Sequence, residues 1–137
     1  MSLKQVSVFL ENRAGQLAEV TELLAKNGID LQALHISETA DYGVLRLIAS
    51  DWQLAEKILR EENIPVNVSD VILASVPDAP GGLSSLLKVL ADRDIDFSYM
   101  YSVFGRTEGA ANMILKVADI DAVEKILSEN GFKTDLN

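Results

Sequence analysis

The chemistry open to this 137-residue chain is limited first by what it lacks: it has one histidine, His35, and no cysteine. Thiol catalysis, disulfides, iron–sulfur clusters and Cys-based zinc sites are therefore excluded. His35 has no evident nucleophile or orienting carboxylate with which to build a triad, and HExxH, P-loop and GxGxxG motifs are absent. On a strand it reads as a partly buried sheet residue rather than a base or a ligand. No catalytic residue, metal site or cofactor is expected. Two glycine turns stand out instead, Asn12-Arg13-Ala14-Gly15-Gln16-Leu17 and Asp78-Ala79-Pro80-Gly81-Gly82-Leu83, each between an alternating apolar run and a helical one.

These turns belong to a duplication. Displaced by 66 positions, residues 12–31 repeat at Gly15/Gly81, Leu17/Leu83, Leu24/Leu90, Ala25/Ala91, Ile29/Ile95 and Asp30/Asp96. Six identities compare with about one expected by chance at average composition. Further on the displacement becomes 68, and Asp51 with Glu56-Lys57-Ile58-Leu59 falls on Asp119 with Glu124-Lys125-Ile126-Leu127. The chain divides into two units, 1–69 and 70–137, that read alike.

Each unit opens on an alternating run, Val6, Val8, Leu10 or Ile72, Ala74, Val76, the pattern of a half-buried strand. Helical stripes follow, Leu17, Val20, Leu23, Leu24 and Leu83, Leu86, Leu87, Leu90, with Glu22 and Lys26 at a favourable i,i+4 spacing. Asn27-Gly28 is a helix stop. Residues 31–38 and 43–49 read as a hairpin turning at Asp41-Tyr42-Gly43, and its longer counterpart carries Gly105 and Gly109. Asp51 and Asp119 are N-cap residues of second helices with stripes Leu54, Ile58, Leu59 and Val123, Ile126, Leu127. Val66 and Val68, and the Lys133-Thr134-Asp135 tail, read as extended. The order β-α-β-β-α-β, twice, predicts an α+β ferredoxin-like fold: antiparallel sheets with helices on one face. With no Gly/Pro/Ser linker between them, the units are expected to pack as one rigid body.

Composition narrows the function. Hydrophobic residues make up 48% and charged residues 24%, as in a soluble globular protein. The net charge of −9 argues against nucleic acid, which wants clustered positive charge. No stretch approaches the ~18 apolar residues of a membrane span, and the start of the chain lacks an apolar signal core. A cytoplasmic protein is expected. Acylphosphatase-type, RNA-binding and heavy-metal-binding versions of the fold want, respectively, a phosphate-cradling loop with Arg, exposed aromatics with basic flanks, and Cys; this chain has none of these.

Glu11 to Leu17 followed by Asn27-Gly28-Ile29-Asp30-Leu31, and Asp78 to Leu83 followed by Asp94-Ile95-Asp96-Phe97, resemble the ACT domain pattern. The resemblance covers nearly the whole chain and implies a stand-alone tandem ACT protein: a regulatory binder of a free amino acid, without catalytic activity, at an interface between ACT units. Carried over, it implies ligand contacts from Asn12, Ala14, Gly15, Gln16 and Leu17 with Asp30 and Leu31, and from Asp78, Pro80, Gly81, Gly82 and Leu83 with Asp96 and Phe97. The family often has Pro before the glycine, kept as Pro80 and replaced by Ala14, and often Asn where this chain has Asp30 and Asp96.

The implied chemistry is coherent. Unpaired N–H groups at a helix start suit a carboxylate, glycine allows close approach, and an Asp can accept from an ammonium. The paired glycines Gly81-Gly82 promise the more open helix entrance. From the residues alone the glycines serve equally as tight turns, Asn12 and Asp78 as Asx caps, and Asp30 and Asp96 as solvated carboxylates. Two functions follow: an amino-acid sensor acting on an enzyme or transcription factor, and a ferredoxin-like dimerisation module with no ligand. Exposed strand edges make a homodimer the expected state in either case.

Overall fold

The computed structural model describes residues 2–11, 13–38, 42–104 and 108–134. Asn12, Asp41, Gly105 and Asp135, named above, lie outside the described residues. The elements in chain order are β1 (Ser2–Glu11), α1 (Gln16–Lys26), β2 (Leu31–Glu38), β3 (Tyr42–Ala49), α2 (Trp52–Glu61), β4 (Val66–Pro77), α3 (Gly82–Asp92), β5 (Tyr99–Ser102), β6 (Ala110–Lys116) and α4 (Ile120–Glu129). Lys4–Ser69 forms one compact unit; Asp70–Asn137, with Met1–Leu3, forms the other.

In the first unit the strand order is β2-β3-β1-β4, and β3 runs antiparallel to both neighbours, pairing Val8 with Leu45 and Leu34 with Leu47. Val6, Val8, Leu45 and Leu47 are fully buried against Val20 and Leu24 of α1 and Ala55 and Leu59 of α2. Both helices cover the same sheet face. In the second unit the order is β4-β6-β5, again antiparallel, with Ile72 opposite Leu115 and Met100 opposite Leu115 on the other side. Ile72, Ala74 and Leu115 are closed by Leu86 and Leu90 of α3 and by Val123 and Leu127 of α4. This is the α+β ferredoxin-like arrangement expected from the repeat.

Two details differ from the sequence reading. The central strands are buried on both faces: Gln5 and Ser7 on β1, and Val71 and Leu73 on β4, are shielded as fully as the alternating set. Gln5 meets its burial with Nε2 donating to Ser7 Oγ and Ser69 Oγ, both at 3.5 Å. The extended tail reduces, among the described residues, to a single bridge between Ser75 and Lys133.

Among the described residues, α1, α2, α3 and α4 end in one motif. The N–H of Ile29, Ile64, Ile95 and Phe132 bonds back to the carbonyl of Leu24, Leu59, Leu90 and Leu127, five residues earlier, at 2.9–3.1 Å. The residue before each, Gly28, Asn63, Asp94 or Gly131, has positive φ, from 56° to 84°. Here the left-handed residue turns the chain while an apolar residue packs back on the last turn. Asp51 and Asp119 are the expected N-caps, accepting from the Leu54 and Ala122 amides at 3.0 and 3.1 Å.

Gly82 has a different task. It opens α3, and a Cβ there would lie 1.9 Å from the Pro77 carbonyl oxygen. Gly82→Ala is therefore expected to destabilise the chain by about 1–3 kcal/mol, as overpacking against rigid backbone does; an unchanged urea midpoint would contradict the close approach. Asp94→Gly should stabilise by roughly 0.5 kcal/mol, because relief of the Cβ strain at φ +56° outweighs the entropy that glycine adds to the unfolded chain. A lower melting temperature for that variant would count against the left-handed exit.

Candidate functional site

The two units share a strand-to-helix turn but not what surrounds it. Gly15 and Gly81 sit at φ +88° and +89° as the N-cap residues of α1 and α3, and neither helix has a side-chain cap. A Cβ at either glycine would touch nothing within 4 Å. These glycines are required by the left-handed turn, not by a close approach. At the next position the units diverge.

In the second unit that position is Gly82, pressed against the Pro77 carbonyl, with its own N–H donated to Ala79 at 3.0 Å. The paired glycines do not leave an open entrance; backbone fills it. In the first unit the position is Gln16. There the Glu11 carbonyl, counterpart of that of Pro77, accepts instead from the Arg13 amide at 2.8 Å, and the helix start stays clear. The first-turn amides of Gln16, Leu17 and Ala18 have no intrahelical acceptor, as at any helix start.

Beside this start lies an open cavity of about 510 Å³, within the first unit. One wall is α1, through Gln16, Glu19, Val20, Glu22, Leu23 and Lys26; the other is the α2–β4 connection, Glu62-Asn63-Ile64, with Glu11 and Arg13 at the turn. A smaller cavity of about 350 Å³ shares Glu11, Gln16, Asn63 and Ile64 and adds Phe9, Tyr42 and Pro65. Gln16 thus borders both. Its side chain is half-buried, and its Oε1 is shielded from solvent with no hydrogen-bond partner. A buried carboxamide oxygen without a donor is costly to leave so.

The charged groups of the cavity are partly tied to one another. Arg13 donates Nη1 and Nη2 to Glu19 Oε1 and Oε2 at 3.2 and 2.9 Å, and its Nε lies 3.5 Å from Glu11 Oε2. The hydrogen bonds from Arg13, then its charge, hold the Glu19 carboxyl below the usual carboxylate range. Glu22 and Lys26, placed for an i,i+4 pair, line the cavity without an ion pair between them.

The other residues singled out by sequence lie elsewhere. Ala14, Gly15 and Leu17 are exposed around the start of α1, as are Asp78, Pro80, Gly81 and Leu83 around α3. Leu17 and Leu83, at equivalent positions, are both 37% exposed. Asp30 is exposed beyond the far end of α1, its backbone tied to Ser50 through the Asp30 N–H to Oγ and the Ser50 N–H to its carbonyl, each at 2.9 Å. Leu31 is half-buried; Asp96 and Phe97 are exposed beyond α3. An eleven-residue helix is about 16 Å long, so a unit does not bring its own aspartate to its own turn. Sequence reasoning missed Glu62-Asn63-Ile64, although Asn before an apolar residue at a helix exit is the signal of a left-handed stop.

Among the described residues no group of His, Cys, Asp and Glu is placed to hold a metal, and no helix is long and apolar enough to cross a membrane. Over 98% of its length the chain superposes on a crystal structure of a protein from Bacteroides thetaiotaomicron, with 40% identity, a TM-score of 0.91 and 92% of that chain covered. The ligand-free regulatory subunit of aspartate kinase from Thermus thermophilus has the same fold at 14% identity, with a TM-score of 0.66 and 92% and 90% of the two chains covered. A curated protein from Methanobrevibacter smithii, named as a probable translation initiation factor IF-2, is 28% identical over 78 residues, 56% of this chain but only 13% of that protein. The ACT domain pair family matches residues 1–133, and the chain belongs to it.

Proposed function

We propose that this chain is a non-catalytic regulatory protein of the cytoplasm that binds a free amino acid at the first unit's turn and signals occupancy to an enzyme or transcription factor. The observation that carries the reading is the cavity beside the start of α1, bordered by Gln16 with its unpartnered Oε1. The first-turn amides, which have no intrahelical acceptor, and the helix dipole suit the ligand carboxylate, and Gln16 offers a further polar contact. The regulatory subunits of aspartate kinase among its structural relatives support an enzyme as the partner.

In this reading the family's acceptor for the ligand ammonium comes from a different unit than the turn, because about 16 Å of helix separates Asp30 from Gly15. A homodimer supplies it, with Asp30 or Asp96 of a second copy facing the turn. The exposed Leu17 and Leu83 support an apolar contact there.

Thermal melting of the chain against the twenty amino acids tests this. At a hundred times Kd the bound amino acid adds ~2.7 kcal/mol, which raises Tm by roughly 5–11 °C. A neutral or basic amino acid is expected; no shift with any at millimolar concentration would leave the dimerisation module as the better reading. Asp30→Ala should cost about 1.5–3 kcal/mol of binding while barely moving the unliganded Tm, since an exposed carboxylate contributes little to stability. If both Asp30→Ala and Asp96→Ala bind as the parent does, no second unit contributes the acceptor.

A further inference from the structure

We infer that Glu19 sets the charge class of the ligand: by holding Arg13 it leaves the cavity with an excess of carboxylates, so that the site takes an amino acid with a cationic side chain and refuses a dicarboxylic one. This rests on the amino-acid-binding reading above.

Arg13 is the cavity's natural anion receptor. Its guanidinium is a planar fork of donors matched to a carboxylate, and it sits at the turn where a ligand would enter. That fork is already filled, both Nη atoms on Glu19 and Nε beside Glu11. With Arg13 neutralised in this way, the remaining charged side chains of the cavity are Glu22, Glu62 and Lys26, while Glu11 adds a further carboxylate at the turn. Among the described residues no cation lies within ion-pair distance of Glu22 or Glu62. Val20, Leu23 and Ile64 line the same space and offer apolar surface to the methylene stem of a long cationic side chain. The device is confined to the first unit. The repeat places Ala79 where Arg13 stands and Ser85 where Glu19 stands, and Ser85 Oγ donates to the Gly82 carbonyl at 2.8 Å.

The test is calorimetric titration of the full chain with L-lysine, L-norleucine (the neutral analogue of its stem) and L-glutamate. The parent chain should bind lysine about tenfold or more tighter than glutamate, the scale of one charge-assisted contact. Glu19→Gln keeps the shape but removes the charge and one of the two acceptors that hold the Arg13 fork, so glutamate should tighten by about tenfold and lysine should weaken. Adding Arg13→Met to Glu19→Gln should abolish the gain for glutamate. The pair is exposed, so these variants should melt with the parent when unliganded. Tighter binding of glutamate or norleucine than lysine by the parent, or an unchanged lysine-to-glutamate ratio in Glu19→Gln, would overturn the role of Glu19 while leaving amino-acid binding intact. If no amino acid binds the parent at all, the function itself is wrong, and the role of Glu19 falls with it.

Discussion

Left-handed backbone at the helix ends is the constraint on which both units depend. Each unit must fold two helices back over one sheet face, and the chain has only a few residues at each reversal. Gly15 and Gly81 turn the first strand of each unit into its helix, and Gly28, Asn63, Asp94 and Gly131 release the four helices. Where the residue is not glycine, the Cβ is tolerated at a cost that Asn and Asp bear better than other side chains. The apolar residue that follows each exit bonds back to a buried or nearly buried leucine, so the same few residues that stop the helix also seal its end of the core. The packing of both cores follows from this geometry.

Much of this was legible because it is written in local chemistry. Asp51 and Asp119 cap helices because a short carboxylate reaches the amide three residues on, and the structure has those bonds. The alternation of Val6, Val8 and Leu10 against Leu45 and Leu47 is a two-residue period that only a strand satisfies. What was not legible depended on through-space partners. Nothing local says that Gly82 must clear a carbonyl five residues back, or that β1 would be buried on its second face, where Gln5 has to find hydroxyl partners. The cavity was half legible: Gln16 lies in the turn that the repeat picks out, whereas Glu62-Asn63-Ile64 arrives from the other end of the unit.

The duplication also shows how two copies of one turn part company. Of the differences between the turns, Gln16 against Gly82 goes with different arrangements of the carbonyl at the end of the preceding strand. In one unit that carbonyl accepts from the Arg13 amide, and Gln16 borders the cavity beside the helix start. In the other the backbone itself closes the gap, and the missing side chain is what allows it to. An identical scaffold thus carries an accessible helix start in one copy and a sealed one in the other.

β4 runs unbroken from Val66 to Pro77, and the division between the units falls inside it, between Ser69 and Asp70. Val66 and Val68 feed one core while Ile72, Ala74 and Val76 feed the other, all at even positions. Domain boundaries usually fall in exposed, flexible linkers, which tolerate insertion. Along a strand side chains alternate, so a single residue inserted between Ile72 and Ala74 would turn part of that set away from its own core. The join is therefore committed to strand geometry on both sides of Ser69 and has no slack in which an inserted residue could be absorbed.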